Sequence, residues 1–417
     1  MDLNSGGVGM KKILKVPKWP IADEKEELQI KEVLQTESWW RNQGTQVKKF
    51  EKEFAQYQGC KAGISVANGT QAIEIALKAL NIGEGDEVIV PDFTFFSTVS
   101  AVLSVKAIPV IVDVKDDTYC IDPEQIERAI TEKTKAIIPV HIAGSIANMH
   151  EINRIAERHN LFIIEDASHA HGSFLRNKGA GSFGTLSTFS FQNAKLMTAG
   201  EGGIILGQDE KIMEKVFLES NCGRSEYDTT YQHTLIGTNS RLSEIQGAIL
   251  RVQLSRLSSQ VALREKNYKH LEACLYDVSG IKLQKLNDEM SINSHYMVMF
   301  YYEKEEFQGA ERSEFIQYLK EAGIPCNRSY ESLHKLPVFK TLSADRWRMV
   351  SNEVRDGEKY CKNSERISDE VVCLNHNVLL GDKKLVENIV NIIKSFKKTN
   401  RKDCDICHRC IYETVKH

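Results

Sequence analysis

A lysine set among small and apolar residues is the first place where residue type and spacing point to chemistry. Lys195 lies in Ser190-Phe191-Gln192-Asn193-Ala194-Lys195-Leu196-Met197-Thr198-Ala199-Gly200-Glu201-Gly202-Gly203, just past an apolar run that reads as a strand. Desolvation in such surroundings lowers the pKa of the amine and frees it to form a Schiff base. A solvated loop lysine is the plain alternative, and the flanking residues argue against it. Asp166, in Glu165-Asp166-Ala167-Ser168-His169-Ala170-His171-Gly172, follows the run Leu161-Phe162-Ile163-Ile164. It therefore falls at the carboxyl end of a buried strand, where α/β sheets bind ligands. A buried carboxylate needs a cation or good hydrogen bonds, and a protonated pyridine nitrogen is one such cation; capping a helix is the other reading.

Two further stretches belong with these. Asn68-Gly69-Thr70-Gln71-Ala72 precedes a helical run and offers free backbone N–H groups, a hydroxyl and the positive end of a helix dipole, which together suit a phosphate. Pro91-Asp92-Phe93-Thr94-Phe95-Phe96 follows a strand and places an aromatic ring either in the core or over a flat cofactor. His169 and His171 read alternatively as satisfied, half-buried histidines, and His171 is assigned that role. No Cys or His cluster near them completes a zinc site.

The elements that must position these groups follow from periodicity. Apolar, β-branched runs (DEVIVPDF, AIPVIVDV, TKAIIPVH, NLFIIEDA) alternate with helical segments, the pattern of buried parallel strands in a doubly wound α/β fold over roughly residues 60–210. Amphipathic spacing predicts helices over 24–34 and 47–57 and a long one from Arg241 to about Lys269. The expected organisation is an irregular arm over 1–20, a large domain over 21–258, a smaller α+β domain over 259–400 and a polar tail over 401–417. The tail carries Cys404, Cys407, His408 and Cys410, a spacing that invites zinc but lacks any strand or knuckle context, so no metal is expected.

Composition narrows the class. The chain has 417 residues, and 54 Lys+Arg against 57 Asp+Glu leave a net charge of −3, so bulk charge gives no reason to expect nucleic acid or an anionic membrane as partner. The first residues hold no apolar run suited to a signal segment, and no stretch is long enough to span a bilayer. Seven of the 10 cysteines are scattered singly, as in reduced proteins. A soluble cytoplasmic enzyme is expected.

Taken in order, NGTQA, PDFTFFST, VHIAGSIANM, EDASHAHGS, SFQNAKLMTAGEGG and GTNSRLSEIQGAI resemble the DegT/StrS family of pyridoxal-phosphate aminotransferases. The likeness runs from about Trp39 to Leu257 and continues more weakly to about Lys397. It implies fold type I: a large domain with a mostly parallel sheet flanked by helices, plus a smaller C-terminal α+β domain. It implies that Lys195 carries the cofactor and shuttles a proton, that Asp166 holds the pyridine nitrogen protonated, and that Phe95 stacks on the ring. Gly69, Thr70 and Ser190 would bind the phosphate, and His169 would hydrogen-bond near the phenolic oxygen. Asn239 would reach the same phosphate across a homodimer interface. The amino donor would be glutamate or glutamine and the acceptor a cyclic ketone, a keto-cyclitol or keto-sugar of antibiotic-type metabolism. The His-containing sub-pattern is similar to 3-amino-5-hydroxybenzoate synthases, which implies an aromatising dehydration as the rival; a regulatory homologue without turnover is another. Arg41 and Arg241 are candidates for a donor carboxylate, with a structural role as the default. Arg328, Tyr330 and His376 are candidates for substrate contact.

Overall fold

In the computed structural model, residues 13–226, 229–343, 346–349 and 361–396 are described; the Cys404–Cys410 tail lies outside them. Eight helices precede and flank the main sheet: α1 Glu24–Thr36, α2 Gln46–Gln58, α3 Gly69–Ala79, α4 Ser97–Ser104, α5 Pro123–Ala129, α6 Met149–His159, α7 Glu210–Ser220 and α8 Glu244–Leu275. The strands are β1 Ala62–Val66, β2 Glu87–Pro91, β3 Ile108–Val112, β4 Thr134–Ile137, β5 Phe162–Asp166, β6 Leu186–Ser190 and β7 Gly203–Gly207. Their order is β1-β7-β6-β5-β4-β2-β3, with the short strand Arg348–Met349 at the β3 edge. The centre from β3 through β6 is parallel, as the doubly apolar runs require. The β7 and β1 edge is antiparallel, a departure from the alternating pattern.

Local signals account for the helix starts nearest the site. Asn68 caps α3 by accepting the Gln71 N–H, and the apolar face of α3 (Ala72, Ile73, Ala76) is fully buried on the sheet. Ser243 and Gln246 form a capping box at the start of α8.

α8 runs unbroken through two cores. Leu250, Leu257 and Val261 pack in the core beneath the large sheet, whereas Tyr268, Leu271 and Leu275 pack in the core of a second, antiparallel sheet. That sheet, ordered β8-β9-β11-β10, comprises β8 Ile281–Leu283, β9 Met297–Tyr302, β10 Cys326–Arg328 and β11 Val371–Asn375. Alternate residues of β9 split between the two cores, Met299 and Tyr301 facing the large one and Val298, Phe300 and Tyr302 the small one. The two units thus share a helix and a strand at their seam, and a boundary at residue 258 falls inside α8. Among the described residues the seven cysteines are free thiols, and no helix is long and apolar enough to cross a membrane.

Candidate active site

The carboxyl ends of the central strands and the start of α3 surround a cavity of about 700 Å³ lined by Gly69, Thr70, Phe95, Asp166, His169, Ser190, Lys195, Tyr296 and Tyr330, among others. Asp166 is the last residue of β5 and Ser190 the last of β6, so the parallel register delivers both to one edge.

Lys195 lies in the turn after β6, half-buried, with its Nζ 4.7 Å from the centroid of the Tyr296 ring. Burial pushes its amine down to about 8, against the pull of the Asp166 charge. Asp166 is buried; its carboxylate accepts from Thr98 Oγ1 at 3.0 Å and from the Ser168 N–H at 3.2 Å. Thr98 in turn meets Thr94 at 3.1 Å, so the first turn of α4 holds the carboxylate.

His169 is fully enclosed. It lies 4.2 Å from the Tyr296 ring centroid at 28°, with Tyr330 nearly parallel at 6.1 Å. The Ala143 N–H points at Nδ1 (3.4 Å), so the ring proton sits on Nε2 and donates to the Tyr330 oxygen at 3.3 Å. The Tyr330 O–H is thereby left to donate into the cavity. Burial and the Lys195 charge push His169 well below the usual histidine range, so it is neutral. His171 is completely buried rather than half-buried: Nε2 meets the Ser190 carbonyl at 2.9 Å, and burial pushes its pKa down to about 3.

At the other end of the cavity, Thr70 Oγ1 and Ser97 Oγ are 2.7 Å apart. A Cβ at Gly69 would stand 2.8 Å from the Ser190 Cβ; glycine alone lets the first turn of α3 approach β6. Asn68 caps only the Gln71 N–H, leaving the Gly69 and Thr70 N–H groups directed at the cavity mouth. Phe95, 57% exposed, stands at the rim.

Several candidates lie elsewhere. Arg41 is buried in a bidentate pair with Glu51 (2.9 Å), so its guanidinium is closed to a donor carboxylate. Arg241 bonds Asn221 Oδ1 at 2.9 Å and lies over the Trp40 ring. Arg328 is exposed on β10, and Asn239 is exposed outside the cavity of its own chain. His376 is buried behind Tyr296 rather than in the cavity wall. Thr98 and Tyr296 escaped the sequence reading. Thr98 sits one helical turn after Thr94, a spacing that signals a shared face; Tyr296 has no such local signal.

These residues fit pyridoxal phosphate. A desolvated amine suits an aldehyde, a strand-end carboxylate suits a protonated pyridine, and a helix start that Gly69 lets approach Ser190 suits a phosphate. Together with the sheet order they define a pyridoxal-phosphate-dependent aminotransferase of fold type I. The chain belongs to the DegT/DnrJ/EryC1/StrS aminotransferase family, which matches residues 20–394.

The chain is 37% identical over 380 residues to a 3-amino-5-hydroxybenzoate synthase of Amycolatopsis mediterranei (strain S699), spanning 90% of this chain and 96% of that one. It is 30% identical over 391 residues to the L-glutamine:2-deoxy-scyllo-inosose aminotransferase of Streptomyces kanamyceticus, covering 89% and 91%. A pleiotropic regulatory protein of Geobacillus stearothermophilus is 40% identical over 301 residues, covering 72% and 78%. The crystal structure of a 3-amino-5-hydroxybenzoic acid synthase superposes with a TM-score of 0.85 at 36% identity, covering 92% of this chain and 98% of that one.

Proposed function

We propose that this protein moves an amino group from L-glutamine or L-glutamate onto a cyclic ketone, a keto-cyclitol or keto-sugar of secondary metabolism. The observation that carries the reading is Lys195, an amine lowered to about 8 that shares one cavity with Asp166. Bound pyridoxal phosphate would supply an electron sink for a carbanion at the carbon bearing the nitrogen. Lys195 would hold the cofactor through its amine and, as that amine, serve as the acid–base group at the carbon bearing the nitrogen. Asp166, fixed by Thr98, keeps the pyridine nitrogen protonated, and Phe95 covers the ring face at the rim. Gly69, Thr70 and Ser190 receive the phosphate. The Tyr330 O–H, left free by His169, orients an oxygen of the cofactor or the incoming ketone.

Asn239, exposed and outside its own cavity, reaches the partner's phosphate in a cytoplasmic homodimer. Glutamine as donor has the support of the inosose aminotransferase relative. The aromatising reading has its own support in the 3-amino-5-hydroxybenzoate synthase relatives, by sequence and by structure.

The test is the absorbance of the purified protein before and after L-glutamine or L-glutamate, followed by a cyclitol ketone or an aminodehydroshikimate. The expected result is a visible cofactor band lost on adding the donor and restored by the ketone, with an aminated ring as product. A band indifferent to both donors, with aromatic product from the aminodehydroshikimate, replaces transamination by dehydration. No band even with added cofactor overturns both.

A further inference from the structure

Arg264 is the one large cation of α8 that lies at the seam between the two cores, with no exposed surface. Its Nε and Nη1 find no acceptor among the described residues, and no carboxylate pairs with it there. Burying an uncompensated charge is costly, so its contacts deserve accounting. They are two. The guanidinium carbon lies 5.6 Å from the Trp19 ring centroid, and Nη2 lies 3.4 Å from His376 Nδ1. Arginine only donates, so His376 Nδ1 accepts and the ring proton is confined to Nε2. The backbone of Ala194 lies close enough to the His376 ring to favour its protonated form against burial. Trp19 packs edge-on to the His376 ring at 4.5 Å and donates its indole N–H to the Asn193 carbonyl at 3.1 Å. Asn193 and Ala194 immediately precede Lys195.

We propose that Arg264, His376 and Trp19 form a bracket that positions Lys195: Arg264 fixes the tautomer of His376, and His376 and Trp19 hold the two peptide groups that aim the lysine. The bracket draws on three separate parts of the chain: the segment before α1, the middle of α8 and the end of β11. It couples the seam between the sheets to the turn bearing the reactive amine. A guanidinium suits the task because it keeps its charge where a lysine would release its proton and its hold on Nδ1. Each of the three is a positioning residue, none of them lining the cavity itself.

The inference rests on Lys195 being the cofactor-bearing amine, and two readouts separate failures. One is the rate of the donor half-reaction. The other needs no cofactor: the pH midpoint of Lys195 labelling by an amine reagent in the cofactor-free protein, read by mass spectrometry. Arg264→Met and His376→Leu are expected to slow the half-reaction at least fivefold and to raise the midpoint towards an ordinary lysine, because a loosened turn lets water reach the amine. His376→Gln, whose amide can accept from Arg264 and donate to Ala194, is expected to restore most of the rate. Trp19→Phe keeps the ring and loses only the N–H, with an expected loss of twofold to fivefold. Should the core variants fail to fold, Trp19→Phe still decides. Folded variants with wild-type rate and midpoint overturn the bracket, as does a His376→Gln protein as slow as His376→Leu. A cofactor band in Lys195→Ala that is the same as in the wild type overturns the proposed function instead.

Discussion

Lys195 and Arg264 are both basic side chains taken out of bulk water, and what each can do differs. Lys195 faces a cavity that also holds Asp166, and its amine falls to about 8, within reach of release at working pH. Arg264 lies at the seam with no carboxylate, and burial lowers it only to about 9 from a far higher starting point, so it keeps its charge at neutral pH. The same desolvation therefore yields a nucleophile in one place and a fixed donor in the other. The difference lies in the starting point: an ammonium begins near 10.5 and a guanidinium near 12.5, so comparable burial leaves the arginine the more firmly protonated of the two.

The sharpest way to break this comparison is to remove the titratable member. Lys195→Ala is expected to lower the half-reaction rate by roughly 10²–10⁴-fold, the span that a positioned acid–base group contributes. Cofactor absorbance and turnover check it together, and a variant within tenfold of wild type removes the chemistry from Lys195. Next comes its counter-ion. Asp166→Ala is expected to cost roughly 10²–10³-fold, comparable to losing a preorganised electrostatic contact, with binding of the donor less affected than turnover. Steady-state kcat and KM distinguish the two.

How far each region could be read from the sequence differs for a physical reason. Lys195, Asp166, Gly69 and Ser190 lie at strand ends and a helix start, where hydrophobic runs terminate and the punctuation is local; all four line one cavity. The helices over 24–36, 46–58 and 244–275 likewise show their period and caps within themselves. The bracket has no local signature. Trp19, Arg264 and His376 are more than a hundred residues apart from one another, and nothing in the neighbourhood of Arg264 marks it as buried: it occupies an apolar position of α8 between Val261 and Tyr268. The antiparallel β7–β1 edge escaped for a similar reason, since strand direction is a property of the crossover and not of the run. Arg41 takes the structural role that was its default reading, through a partner that its own neighbourhood does not reveal, since Glu51 lies in the next helix.

A smaller effect tests how the Asp166 carboxylate is held. Thr98→Val keeps shape and removes the 3.0 Å hydrogen bond to Asp166. A hydrogen bond to a charged group contributes about 1.5–3 kcal/mol, so a loss of roughly ten- to a hundredfold in turnover is expected, with the fold intact. Thermal denaturation alongside kcat checks it; equal losses in both would make Thr98 a packing residue.

The finest prediction returns to the two cations through one titration. In the cofactor-free wild type, labelling of Lys195 is expected to rise with a midpoint of about 8 rather than at the ordinary 10.5. The Asp166 charge favours the ammonium, so Asp166→Asn removes that support and the midpoint must fall below the wild-type value. Arg264→Met acts in the opposite direction if the bracket holds, since a turn opened to water loses the desolvation that lowered the amine. The same lowered amine makes stability depend on pH. An amine lowered in the folded state leaves the unfolded chain binding more protons between about 8 and 10.5, so stability gains from Lys195 as pH rises through that window and loses the gain as pH falls. Lys195→Met abolishes this dependence, and comparison of the two proteins by denaturation at pH 8 and 10 isolates it. Midpoints that shift the same way in Asp166→Asn and Arg264→Met would mean that one field, not two distinct contacts, governs the lysine.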